Sequence, residues 1–247
     1  MSDSTLTDPL RADSLWTTSS EPLPVFVGHE SAVKSFQAIL EKREPAFVVV
    51  TGQPGMGKTS FLRFVGAGAA ASGWTVLPKE GNAVFSVTPE TTEKLFSMQI
   101  RELMATRANE NFIETKSSAR LDVHPIVRQL RERAPVLLLI DGFLATSDFT
   151  SWFNDQFIKG LKQTKLPVVV TIAERPHQIE HVTAHADEIL PFGKLDKELI
   201  KEHFKRIGKQ LNPPIEASEL EEYAGAAFEK PELLGSLTRV LRLASQI

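Results

Sequence analysis

Residues 46–60, AFVVVTGQPGMGKTS, restrict this chain more than any other stretch. A run of strand-forming residues, Phe47 to Thr51, leads into Gly52-Gln53-Pro54-Gly55-Met56-Gly57-Lys58-Thr59. This is the full phosphate-loop pattern G-x-x-x-x-G-K-[ST], and a helix signal follows it at once. Gly52, Gly55 and Gly57 let the backbone turn tightly and aim its N–H groups at phosphate oxygens. Lys58 brings a point charge for the outer phosphates, and the Thr59 hydroxyl is placed to ligate Mg²⁺. The partly positive end of the following helix faces the same anion. Gln53, Pro54, Met56 and Ser60 complete the loop and are taken with it as nucleotide-binding positions.

The rest of the chain is read outward from this loop. Residues 1–22, rich in Ser, Thr and Asp, read as a flexible tail on which Leu15 and Trp16 are the apolar anchors. A helix is predicted over 31–42, with Val33, Phe36, Ile39 and Leu40 on one stripe. The loop strand and a helix over 58–71 follow, then a strand over 74–77. Thr88-Pro89-Glu90 predicts a capped helix start, and that helix runs to about Ala105. Residues 108–120 read as a polar loop and 123–133 as a helix. Val136–Asp141 and Val168–Ile172 are nearly continuous apolar runs, as in strands buried on both faces. Between them, a helix over 149–162 turns Trp152, Phe153 and Phe157 inward, and Ile189-Leu190 marks a short last strand.

This alternation predicts a three-layer α/β core with a parallel sheet over 23–195. Beyond it the pattern is helical only, at 197–211, 218–226 and 231–243, so 196–247 reads as a small all-helical lid.

A carboxylate belongs beside the loop. Val136-Leu137-Leu138-Leu139-Ile140-Asp141 places an acid at a strand's C-terminal edge, where it can hold Mg²⁺ together with Thr59. The next residue, Gly142, offers no second acid to orient an attacking water, and Glu174 and Asp148 are the nearest alternatives in sequence. Arg175, at the end of the Val168–Ile172 run, is placed to report whether a tri- or diphosphate is bound.

The series FVGHE, GQPGMGKTS, VLLLIDGF, VVVTIAERP and FEKPELL, in this order over about residues 25–245, resembles the STAND class of signal-transducing P-loop ATPases, relatives of the AAA+ proteins. The resemblance implies ATP or ADP with Mg²⁺, cradled at the base by Phe26, Val27 and Gly28. His29 stands where an Arg is usual. Lys58 and Thr59 match the phosphate and metal positions, Asp141 the metal-associated acid and Arg175 the sensor. Pro231 matches the lid proline that packs on the base, with Glu229 in place of the usual Gly before it, and Arg239 stands where a second sensor could reach from the lid. Such proteins act as switches, open and often oligomeric with ATP and closed with ADP. Ending at the lid, the sequence reads as a stand-alone ATPase or a segment of a larger protein.

Composition narrows the alternatives. A formal net charge of -3 gives no general attraction for nucleic acid or anionic membrane. With no cysteine, thiol catalysis, disulfides and cysteine–zinc sites are excluded. No apolar run is long enough to span a bilayer and no secretory leader is evident, so a cytoplasmic location is expected. His177, His181 and His185 would share a face only on a helix, and the Pro176 before them favours a solvated segment. The basic residues Lys194, Lys197, Lys201, Lys205, Arg206 and Lys209 alternate with acids and read as a solvated face. Three functions remain: a slow ATPase acting as a nucleotide-dependent switch with protein partners, a DNA-associated ATPase of initiator or loader type, and a degenerate nucleotide-binding scaffold.

Overall fold

The computed structural model describes residues 26–78, 85–105, 124–208 and 214–244; the side chains of Arg239 and residues 242–244 also lie outside the described ones. The tail with Leu15 and Trp16, the polar loop at 108–120 and Lys209 fall outside these residues. Five parallel strands form one sheet: β1 (Ala46–Gly52), β2 (Thr75–Leu77), β3 (Val136–Asp141), β4 (Val168–Glu174) and β5 (Glu188–Phe192). Their spatial order is β2-β3-β4-β1-β5. β4 therefore lies between the strand that enters the phosphate loop and the strand that ends in Asp141. Its register sets Thr51 level with Glu174 on one side and Asp141 level with Ala173 on the other.

The helices are α1 (Glu30–Lys42), α2 (Lys58–Ala71), α3 (Glu93–Ala105), α4 (Pro125–Glu132), α5 (Ser147–Trp152), α6 (Lys159–Thr164), α7 (Glu180–Thr183), α8 (Lys197–Gly208), α9 (Ala217–Glu229) and α10 (Glu232–Ala244). They cover both faces of the sheet, the arrangement that parallel strands require. On one face Phe36, Leu40, Phe61 and Val65 of α1 and α2 pack on Val48, Val50, Leu137 and Val169. On the other, Phe96 is surrounded by Phe85, Phe149, Trp152, Phe153 and Phe157, with ring centroids 5.1–5.9 Å apart. Each such buried side chain contributes about 1.5–3 kcal/mol by leaving water. Between α5 and α6 the helix widens into a π turn over Phe153–Ile158. Phe153, Phe157 and Ile158 of this turn are buried, while Asp155 and Gln156 between them face solvent.

Local chemistry moved several boundaries. The helix expected from Thr88 begins at Glu93 instead. Thr91 Oγ1 accepts from the Thr88 N–H at 2.9 Å and closes a turn around Pro89. Thr92 Oγ1 then accepts from the Leu95 N–H at 3.2 Å and caps the helix. α5 starts earlier than expected because Thr146 caps it through the Phe149 N–H. α4 starts at Pro125 behind a capping His124, not at residue 123. His177 lies on a 3-10 turn, Pro176–Gln178, His181 on the single turn of α7 and His185 in the turn after it, so the three share no helix face.

After Leu195, α8, α9 and α10 build a third, smaller core from Ile200, Phe204, Ile207, Ala224, Ala227 and Leu241. Lys197 and Lys201 of α8 both pair with Glu221 of α9, which neutralises part of the basic stripe. Among the described residues no helix is long and apolar enough to cross a membrane.

Candidate functional site

The loop after β1 is shaped by glycines. Gly55 and Gly57 hold φ of +82° and +86°, backbone that L side chains rarely adopt. Gly57 caps α2, so the helix begins with Lys58 and directs its unpaired N–H groups into the loop. Lys58 Nζ donates to the carbonyl oxygens of Gly52 at 2.6 Å and Gln53 at 3.1 Å. Burial lowers its pKa, against which Glu174 and then Asp141 pull upward.

The two neighbouring strand ends complete the polar wall. Burial raises the Asp141 carboxyl, while a hydrogen bond from Thr59 and the charges of Lys58 and Arg63 pull it down. Ser86 Oγ donates to the Asp141 carbonyl at 2.6 Å, which ties the segment before α3 to this strand end. Beyond Asp141 comes Gly142 at φ +103°. Glu174 Oε2 accepts from the Phe143 N–H at 3.1 Å, and Oε1 from the Arg175 N–H at 2.7 Å.

These groups open into a cavity of about 900 Å³. Pro54, Gly55, Gly57, Lys58, Thr59 and Ser60 form its floor, and Asp141, Gly142, Glu174 and Arg175 one wall. Phe26, Val27 and His29 line another side, facing Leu195 and His203 and, from α10, Leu234, Gly235 and Thr238. Phe26 stacks on Phe64, with centroids 5.2 Å apart, and is buried. The His29 ring stacks on Phe192 at 3.9 Å; burial lowers its pKa, opposed by a hydrogen bond to the Met56 backbone. Gly28 holds φ +77°, backbone that favours glycine, and packs close to the end of the Leu195 side chain, where an added Cβ would lie 2.5 Å from Cδ2.

Gly52, Gln53 and Met56 are not among the cavity-lining residues; the first two use their carbonyls to hold Lys58, and Met56 packs under the loop. Pro231 is likewise absent from the lining. Its backbone abuts Gly55, where an added Cβ would overlap it, so α10 begins in direct contact with the phosphate loop. Asp148, one of the two alternative acids, does not line the cavity; Glu174, the other, does. The side chain of Arg239 lies outside the described residues.

Arg63, His203 and Thr238 are among the lining residues that the sequence reading missed. Arg63 follows Thr59 by four residues on α2, a spacing that could have found it. His203 and Thr238 come from α8 and α10, where nothing in the sequence marks them. They join at 2.9 Å between His203 Nε2 and Thr238 Oγ1.

The donor set fits a magnesium nucleotide. Thr59 and Asp141 offer two hard oxygen ligands in contact with each other, which suits a Mg²⁺ completed by phosphate oxygens and water. No cluster of three or more His, Asp or Glu side chains able to hold a metal alone occurs among the described residues. Partial burial disfavours the charged form of the half-buried Asp141 carboxyl, and a bound cation would stabilise that charged form.

Comparison with known proteins gives the same class. A family model described as Novel STAND NTPase 1 matches residues 16–203. No curated protein matches the chain. Among solved structures, the chain is similar to the Thermotoga maritima RuvB Holliday junction branch migration motor at 17% identity and TM-score 0.53, over 87% of this chain and 61% of that one. It is similar to domain III of the Thermotoga maritima replication initiation protein DnaA at 14% identity and TM-score 0.54, over 91% of this chain and 87% of that domain. These likenesses establish the fold, and the chain spans about three fifths of the RuvB chains it matches.

Proposed function

The chain belongs to the novel STAND NTPase 1 family of nucleotide-binding P-loop NTPases, and from that premise we propose that it is an ATP- and ADP-binding switch that hydrolyses ATP slowly. One observation carries the reading. A single cavity is walled on one side by the phosphate loop, Asp141 and Arg175, and on the other by α8 and α10. An occupant there touches sheet and C-terminal helices at once, so its phosphates can bias how the two parts sit.

In this reading residues 23–195 are the core and 196–247 the lid. Phe26 and Val27 hold the base with Leu195 and Leu234, while residues 52–60 and Lys58 hold the phosphates. Thr59 and Asp141 hold Mg²⁺, which when bound offsets phosphate charge. Arg175, exposed at the cavity rim, contacts the terminal phosphate, and Pro231 fixes the lid against the loop through Gly55. The protein works in the cytoplasm on protein partners, with nucleotide-dependent self-assembly as one output.

The test is the nucleotide content of the purified protein together with single-turnover hydrolysis, with Lys58→Ala as control. Bound adenine nucleotide and slow conversion of ATP, both lost in Lys58→Ala, are expected. Absence of nucleotide binding, or a Lys58→Ala variant that binds normally, overturns the switch. Gly142 favours a second reading, a scaffold that holds ATP without cleaving it, and ATP persisting for hours would select it. A DNA-associated role has less support, since Lys197 and Lys201 are paired with Glu221.

A further inference from the structure

The residue after Asp141 cannot carry a useful acid. Gly142 sits at φ +103°, where any L side chain is strained. The neighbouring strand supplies a carboxylate instead. Gly142 donates its N–H to Ala173 O at 3.0 Å, so Glu174, the next residue of β4, comes level with Gly142. A Cβ placed on Gly142 would lie 3.7 Å from Glu174 Oε2. The Glu174 carboxylate thus stands in van der Waals contact with the position from which a side chain at 142 would start. It lines the cavity, level on its other side with Thr51 at the mouth of the phosphate loop.

We propose that Glu174 is the catalytic carboxylate that orients and deprotonates the attacking water, taking from β4 the role that Gly142 leaves vacant on β3. The assignment rests on the ATPase reading above. Hydrogen bonds from the N–H groups of Phe143 and Arg175 fix the carboxylate, one to each oxygen. Each oxygen keeps a second acceptor site for water. Because β4 is hydrogen-bonded to strands on both sides, the group is held on rigid structure. In the step, the water oxygen bonds to the γ-phosphorus as the bond from that phosphorus to the β–γ bridging oxygen breaks. The bond's electron pair stays on the β-phosphate of ADP. The water proton passes to Glu174 and from there to released phosphate or solvent, so ATP and water become ADP and inorganic phosphate.

The experiment compares wild type, Glu174→Gln, Glu174→Asp and Lys58→Ala as full chains. It measures ATP affinity, single-turnover hydrolysis, melting temperature and the identity of co-purified nucleotide. Glu174→Gln is expected to bind ATP within about threefold of wild type while its hydrolysis falls by about 100-fold or more. It should purify with ATP where wild type carries ADP. If Glu174→Gln does not fold, Glu174→Asp decides: a rate down about tenfold or more at unchanged ATP affinity supports the role. A variant that binds and hydrolyses like wild type overturns it. So does one whose rate falls only in step with lost affinity or a lowered melting temperature, which marks a structural carboxylate. A wild type that binds ATP without hydrolysing it removes the role and the ATPase reading together. Unchanged binding in Lys58→Ala removes the nucleotide site itself.

Discussion

Replacing Gly55 by alanine tests the seam between the phosphate loop and α10. An ideal Cβ there would overlap the Pro231 backbone and lie 2.5 Å from the Glu232 nitrogen. Non-bonded heavy atoms settle at about 3.5 Å, so the Pro231–Glu232 segment must retreat by about 1 Å. The φ of +82° adds a second cost, about 1–2 kcal/mol for an L residue in left-handed backbone. Gly73 separates the two effects, because its φ is +80° and an added Cβ there meets nothing within 4 Å. Gly73→Ala should therefore lower the melting temperature by about 2–8 °C and leave nucleotide binding alone. Gly55→Ala carries the same backbone cost and also displaces the α10 face that bears Leu234, Gly235 and Thr238. Titration with ADP should show affinity reduced by about tenfold or more, near 1.4 kcal/mol. Amide hydrogen exchange in the first turn of α10 should rise, which reads the displaced helix rather than the phosphate loop. ADP affinity within about twofold of wild type, with α10 exchange unchanged, would refute a seam closed at Gly55.

Other expectations follow from the same site. Lys58→Ala should abolish measurable ATP binding yet leave the nucleotide-free fold as stable as wild type, because burial already disfavours the charged Lys58; thermal unfolding with and without ATP checks both. Phe26→Ala removes a buried ring stacked on Phe64 and should cost about 3 kcal/mol in urea unfolding while weakening ADP; a loss below about 1 kcal/mol would contradict the packing. The Asp141 carboxyl is raised above its ordinary 3.8, so its favourable contribution is full below that pH and is lost as pH rises through the folded value. Without nucleotide, Asp141→Asn should thus gain stability relative to wild type as pH rises above 3.8, and a difference that stays constant with pH would exclude the effect. Glu221 is held down to about 2 by Lys197 and Lys201, so its contribution is present above its ordinary 4.5 and is lost as pH falls through about 2. Glu221→Gln should flatten that acid limb of the unfolding curve.

Features written in local patterns were legible in the sequence. The loop strand, the helix from Lys58 to Ala71 and the run ending at Asp141 all lie where their residues indicate, because each is a short apolar or glycine-marked stretch. Pairing between distant segments was not legible. Glu174 and Asp148 looked equivalent until the order β3-β4-β1 brought only Glu174 into the cavity. His203 and Thr238 lie 35 residues apart on amphipathic helices and meet only because α8 and α10 share a small core. The early start expected at Thr88 failed because Thr91 accepts from the Thr88 N–H and closes a turn, leaving Thr92 to cap the helix.

β4 has a mechanical consequence. Hydrogen-bonded ladders hold it on both sides, so its end cannot slide without breaking two sets of bonds at once. α8, α9 and α10 rest on a core of their own and join the sheet through Gly193–Asp196, where an added Cβ on Gly193 meets nothing within 4 Å. The cleft therefore has one jaw held in the sheet and one joined to it by residues 193–196 and by the seam of Pro231 against Gly55. Under the switch proposed above, work done by a nucleotide would appear as travel of the C-terminal helices, and a partner sensing the bound state would have to grip both jaws.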